Sequence, residues 1–142
     1  MIINIRHTGI VVRDLSKAVA FYEALGFRTW LREQEKGPFL EQVIGLKKVR
    51  VETAKLKLPC GESIELLQYH SHKELREIER QRPNQLGCSH IAFSVISIEN
   101  SLALIRSMGG SQVNNPASNG TVKVVYCHDL EGNLLELVEN II

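Results

Sequence analysis

The chain has 142 residues with 44% hydrophobic and 23% charged side chains, close to the globular average, which excludes disordered, collagenous and coiled-coil classes. Seventeen Lys and Arg against 16 Asp and Glu leave a net charge of +1, with no basic stripe for a nucleic acid and no basic amphipathic helix for a membrane surface. No apolar run approaches the ~18 residues of a membrane span. The opening MIINIRHTG has polar residues where a signal peptide needs its apolar centre, so a cytoplasmic protein is expected. Cys60, Cys88 and Cys127 are an odd number without CxxC spacing, which favours free thiols.

In chain order, residues 5–12 (IRHTGIVV) form a β-branched run that predicts a strand. Asp14 or Ser16 then offers an N-cap for a helix over 15–25, with Leu15, Ala18, Val19, Phe21, Tyr22 and Leu25 at helical spacing. Gly26 stands where a left-handed C-cap wants glycine. A short strand over 27–31 follows, then one helical turn within 39–46 closed by Gly45. Alternation over 49–58, turn chemistry at 59–61 and SIELLQY over 63–69 predict a pair of strands. The charged stretch 72–82, stopped by Pro83, is polar nearly all round and predicts a solvated helix or linker. Thereafter the first pattern returns: a strand over 89–95 (SHIAFSV), a helix over 98–108 ended by Gly109 and Gly110, a strand over 122–127, the turn DLEGN and a strand over 134–138.

His7 and His90 are 83 positions apart, as are Gly26 and Gly109, and under that offset Ile10 meets Phe93, Val12 meets Val95 and Leu25 meets Met108. SIELLQY and NLLELVE correspond with Glu65 and Glu136 at an offset of 71. The repeat predicts an α+β fold of two β-α-β-β-β modules in one domain over 1–142, with copies at 1–70 and 84–142 and a connector at 71–83. Ile10, Val12, Val19, Phe21, Ile91, Phe93, Leu102 and Ile105 are the expected core between helices and sheets.

Four polar residues interrupt apolar strands: His7, Glu65, His90 and Glu136. A buried carboxylate must be paired, protonated or metal-bound. Strand alternation puts a histidine and a glutamate on one sheet face in each copy, and pseudo-two-fold pairing of the copies would bring all four to one cleft. Two imidazoles and two carboxylates suit one borderline divalent metal, Zn, Ni or Co first, with Mn or Fe as alternatives, and leave positions open for substrate or water. His70 and His72 read as a solvent-exposed pair, His128 as structural, Cys88 as a buried inert thiol and Glu52 as an exterior or salt-bridged residue. Trp30 and Tyr69 could line a pocket or pack in the core.

HTGIVVRDLSKAVAFYEALGF, IELLQY, HIAFSV with its helix, and DLEGNLLELVE together resemble the vicinal oxygen chelate superfamily, which contains glyoxalase I, methylmalonyl-CoA epimerase, extradiol dioxygenases and the bleomycin and fosfomycin resistance proteins. The resemblance covers nearly the whole chain and implies that His7, Glu65, His90 and Glu136 are the metal ligands. A fourth ligand at Glu65 resembles the proton-transfer branch, where glyoxalase I-like members carry glutamate and the epimerases carry glutamine. The charged segment and FLEQVIGL look more like the epimerases. The resemblance thus implies a metal-dependent enzyme, a homodimer, that moves a proton next to a carbonyl through a metal-bound enediolate. Its substrate would be a small molecule with vicinal oxygens, and Glu136 or Glu65 the base. An epimerase-like isomerase, a drug-sequestering protein and an iron-dependent dioxygenase are the alternatives.

Overall fold

The computed structural model describes residues 1–141; the last residue of the expected 1–142 domain lies outside them. The fold is α+β with two sheets, and the chain forms two compact units, Met1–Arg76 and Glu77–Ile142.

The first unit runs β1 (Thr8–Val11), α1 (Leu15–Ala24), β2 (Arg28–Lys36), α2 (Pro38–Ile44), β3 (Arg50–Lys57) and β4 (Ser63–Tyr69), with sheet order β1-β4-β3-β2. β1 lies parallel to β4, and the other neighbours are antiparallel. Asp14 is the N-cap of α1, its Oδ1 accepting from the Lys17 N–H at 3.0 Å. Leu15, Ala18, Val19, Phe21 and Tyr22 are the buried stripe of that helix, and the face beneath it supplies Ile10, Val12, Ala54, Leu56, Ile64 and Leu66. Tyr22 sits edge-on to Phe21 and Phe27, with centroids 5.1 and 5.9 Å apart. Gly26 follows the helix at φ 109°, a conformation that a side chain would strain. β2 extends well past the short strand expected from 27–31, carried by continuous pairing to β3.

The second unit repeats the plan as β5 (Ile91–Ser94), α3 (Ile98–Ser107), β6 (Ser111–Gln112), β7 (Ala117–Ser118), β8 (Val122–His128) and β9 (Leu134–Asn140). The order is β5-β9-β8-β6, with β7 also on β8 and β5 parallel to β9. Ser97 caps α3 through the Asn100 N–H, while Glu99 in the first turn and Arg106 in the last complement the helix dipole. Ile98, Leu102 and Ile105 pack on Val125, Cys127, Leu135 and Leu137.

Two expectations need correction, the burial of Ile91 and Phe93 and that of Cys88, while the charged stretch takes the linker form of its two alternatives. Ile91 and Phe93 are half-buried, not sealed, because β5 is a short edge strand with β9 as its one neighbour. The stretch 72–82 contains no helix; with polar residues on every side it has no stripe to bury, and a helix without one gains nothing from packing. It is held instead by Gln81, whose N–H donates to Gly132 O (2.8 Å), whose Nε2 donates to Cys88 O (2.9 Å) and whose Oε1 accepts from the Leu134 N–H (3.0 Å). Cys88 is exposed, since it lies in the loop between this connector and β5. His128 is structural: it is buried, with Nε2 2.8 Å from Gln81 O.

Candidate metal centre

In the first unit His7 directly precedes β1 and Glu65 is on β4, and their Nε2 and Oε2 atoms lie 3.5 Å apart. In the second, His90 directly precedes β5 and Glu136 is on β9, with Nε2 and Oε2 at 2.8 Å. Parallel pairing explains both. Glu65 is in register with Gly9, and Glu136 with Ala92, each two residues beyond the histidine on the same strand face. The apolar neighbours Ile64 and Leu66, like Leu135 and Leu137, are buried on the opposite face toward the helix, which turns each carboxylate to the other side. Gly9 and Ala92 have little or no side chain, so the space beside each carboxylate stays open. The carboxylates are largely covered (15% and 22% exposed) while the histidines are more open (38% and 27%). The donors thus stand at the surface of the sheet, where a small ligand can reach them.

Hydrogen bonding orients the ring of His90. Its Nδ1 lies 3.0 Å from Ser89 Oγ, which is itself 3.1 Å from Pro83 O, and this leaves Nε2 facing Glu136. Nε2 and the Glu136 carboxylate oxygen are in direct contact at 2.8 Å. Imidazole nitrogen opposed to carboxylate oxygen, with the other ring nitrogen anchored by a hydrogen bond, is donor chemistry that fits a divalent metal. Among the described residues no group of three or more His, Cys, Asp or Glu side chains stands together in metal-holding geometry; the donors come as these pairs.

Two further residues belong to this surface. Tyr126 on β8 is in register with Glu136, and its ring centroid lies 5.0 Å from that of His90. Lys55 on β3 is in register with Glu65 and approaches the ring of Trp30 at 5.8 Å. Both were readable in principle, because centring the hairpins on Cys60 and Glu131 puts these residues opposite the glutamates. On the same face, Glu35 accepts from Thr53 Oγ1 at 3.2 Å; burial raises its carboxyl above the ordinary range, opposed by that hydrogen bond and assisted by the Glu33 and Glu65 charges.

The remaining candidates fall elsewhere. Glu52 is bonded to Arg32 (2.9 Å) and His70 (3.0 Å), and those hydrogen bonds hold its carboxyl below the usual range. His70 is therefore engaged and half-buried, while His72 is exposed. Trp30 is 56% exposed, its ring also facing Lys57 at 5.2 Å.

The family model of the Glyoxalase/Bleomycin resistance protein/Dioxygenase superfamily matches residues 6–126. Among solved structures, a glyoxalase family protein from Bacillus cereus superposes with TM-score 0.92 at 25% identity, covering 99% of this chain and 95% of that one. A glyoxalase family protein from Enterococcus faecalis gives 0.67 at 24% identity, over 96% and 97%. A variant of the fosfomycin resistance protein FosX from Listeria monocytogenes, complexed with Mn(II) and 1S,2S-dihydroxypropylphosphonic acid, gives 0.64 at 20% identity, over 96% and 90%. No curated protein matches the chain at a significant level. No helix among the described residues is long and apolar enough to cross a membrane. With a repeated β-α-β-β-β plan and a family match over most of its length, the chain belongs to the glyoxalase/bleomycin resistance/dioxygenase superfamily.

Proposed function

We propose that this chain is a metal-dependent enzyme that transfers a proton next to a carbonyl, of the glyoxalase I (lactoylglutathione lyase) type, acting on a small molecule with vicinal oxygens. The observation that carries the reading is the recurrence of one His–Glu pair, in one strand register, in both units. His7, Glu65, His90 and Glu136 would hold one divalent ion, with Zn, Ni or Co preferred; Mn is supported by the FosX relative that is complexed with Mn(II). When bound, such an ion supplies Lewis-acid stabilisation of negative charge on the substrate's oxygens.

The chain's own groups do the rest. Glu136 accepts the carbon-bound proton, a task for a positioned carboxylate worth ~10²–10⁴ in rate. Ser89 fixes the imidazole of His90 through Nδ1, and the ring of Tyr126 packs beside it. Lys55, in register with Glu65, stands on the same face of the sheet as that carboxylate. A glutamate at position 65 supports the lyase over the epimerase, whose relatives resemble this chain with glutamine there. The free cysteines Cys60, Cys88 and Cys127 suit a reducing compartment, in keeping with a cytoplasmic homodimer.

The test is to strip the protein with a chelator and add back Ni, Co, Zn, Mn or Fe(II) one at a time. Lactoylglutathione formation, methylmalonyl-CoA epimerisation and catechol cleavage are followed in parallel. Metal-restored lactoylglutathione formation is the expected result. Ring cleavage with iron alone would assign a dioxygenase, and tight metal binding without turnover of any carbonyl substrate would overturn the proton-transfer reading.

A further inference from the structure

At the far end of β1 and β4 from the His7–Glu65 pair, the first unit contains a cavity of about 450 Å³. It opens beyond the carboxyl ends of two parallel strands, a position where α/β crevices commonly hold ligands. Val11, Val12, Leu46 and the ring of Tyr69 form an apolar floor, while Arg13, Gln68, His72, Lys73 and Glu74 supply the polar wall. Val11 is four residues beyond His7 and Gln68 three beyond Glu65, which at strand spacing puts the pocket about 10–13 Å along the strands from these metal-ligand candidates.

The wall is built to donate. Gln68 Oε1 accepts from the Leu15 N–H at 2.8 Å, which fixes its amide and leaves Nε2 as the end with protons to give. Among the described residues, no protein group accepts from Gln68 Nε2, the Tyr69 hydroxyl or Lys73 Nζ. His72 engages Ser71 Oγ through Nδ1 (2.9 Å), which leaves Nε2 available. The backbone of His72 stands at φ 51°, a conformation costly for a non-glycine residue and most often kept where a side chain must be aimed. Glu74 is the one carboxylate on the wall, and it is already spent on Arg76, at 2.9 Å to Nη2 and 3.1 Å to the backbone N–H. Arg13 adds a guanidinium that donates to Arg76 O. With the acid neutralised, positive charge and hydrogen-bond donors exceed acceptors on this wall.

We infer that this pocket binds a small organic anion, a carboxylate or phosphate group carried on a short apolar body, at a site separate from the metal centre. Lys73 and the Tyr69 hydroxyl bond the anionic head, and Val11 and Leu46 cover the apolar body. Anionic heads bonded by charged donors form the stronger class of hydrogen bond, and the open apolar floor selects against inorganic ions.

The test uses metal-free protein, so that its outcome is independent of the proposed activity. Phenyl phosphate, benzoate, inorganic phosphate and phenol are titrated separately, following amide chemical shifts and binding heats. Phenyl phosphate or benzoate should saturate at one equivalent below about 10 mM, with shifts at residues 11–13 and 68–74, and whichever binds tighter names the head group. Phenol should bind at least about tenfold more weakly, since it lacks the charge. Lys73→Met should weaken the anion about tenfold and Tyr69→Phe by less, while Glu136→Gln leaves it unchanged. Because Lys73 is in a connector outside any helix or strand, its variant tests binding without threatening the fold. Equal affinity for phenol, shifts confined to residues around His7 and Glu65, or an unaltered Lys73→Met titration would each overturn the inference.

Discussion

Replacing Phe21 by Ala should destabilise the first unit by about 4 kcal/mol, more than Phe93→Ala costs in the second. Phe21 is fully buried and edge-on to Tyr22 at 5.1 Å. A phenylalanine that hides ~200 Å² contributes ~5 kcal/mol at ~25 cal/mol per Å², less the part a retained methyl keeps, plus ~1 kcal/mol of ring–ring contact. Phe93 occupies the equivalent strand position to Ile10, but it is incompletely covered on edge strand β5, so less of its area is at stake. Urea unfolding measures both. Trp30, the single tryptophan, lies in the first unit and reports it by fluorescence, while far-UV circular dichroism follows the whole chain. With a slope near 2 kcal/mol/M the midpoint should fall by about 2 M for Phe21→Ala and by less for Phe93→Ala. Equal losses, or a larger one at Phe93, would refute the reasoning, because they would mean that the edge-strand side chain is as well sealed as the helix-facing one.

Glu136→Gln should lower turnover by about 10²–10⁴-fold with little loss of metal, since the amide oxygen still coordinates, whereas Glu65→Gln should be milder; steady-state kinetics beside metal analysis decides between them. Glu52 has a folded-state pKa below its unfolded value of about 4.5, so its contribution is present above that value and disappears as pH falls through the lower folded one. Glu52→Gln should accordingly flatten the acid limb of the stability curve while leaving the alkaline limb in place, as thermal melts across pH will show. Cys127 is buried, and burial followed by the nearby Asp129 charge pushes its thiol up to about 12, while Cys60 and Cys88 are exposed. Thiol titration at pH 8 should count two fast groups and a third that reacts only on unfolding; three fast groups would contradict the burial.

The repeat was legible because helices and strands with one buried face write their period into the sequence, and the two helices fall where Leu15–Phe21 and Ile98–Ile105 put them. The polar intrusions were legible for the same reason: an unbroken apolar strand makes a single glutamate conspicuous. What escaped were quantities that alternation does not encode. Edge or centre position decides how deeply Phe93 is covered, and that depends on which strands pair. The connector at 72–82 gave composition but not its anchorage, which comes from one side chain, Gln81, reaching β9 and the strand turn. Tyr126 and Lys55 escaped because they gain meaning through cross-strand register alone.

The unequal offsets, 83 for the histidines and 71 for the glutamates, acquire a meaning from that register. The first unit spends a dozen more residues than the second between its long helix and its donor strand, yet Gly9 faces Glu65 as Ala92 faces Glu136. Chain length in that arm, which includes all of α2, is therefore decoupled from donor placement. Such an arm can be lengthened, shortened or exchanged for another without disturbing the pair of strands that present the chemistry. Changes of length there leave the register that pairs each histidine's strand with its glutamate's strand unaltered.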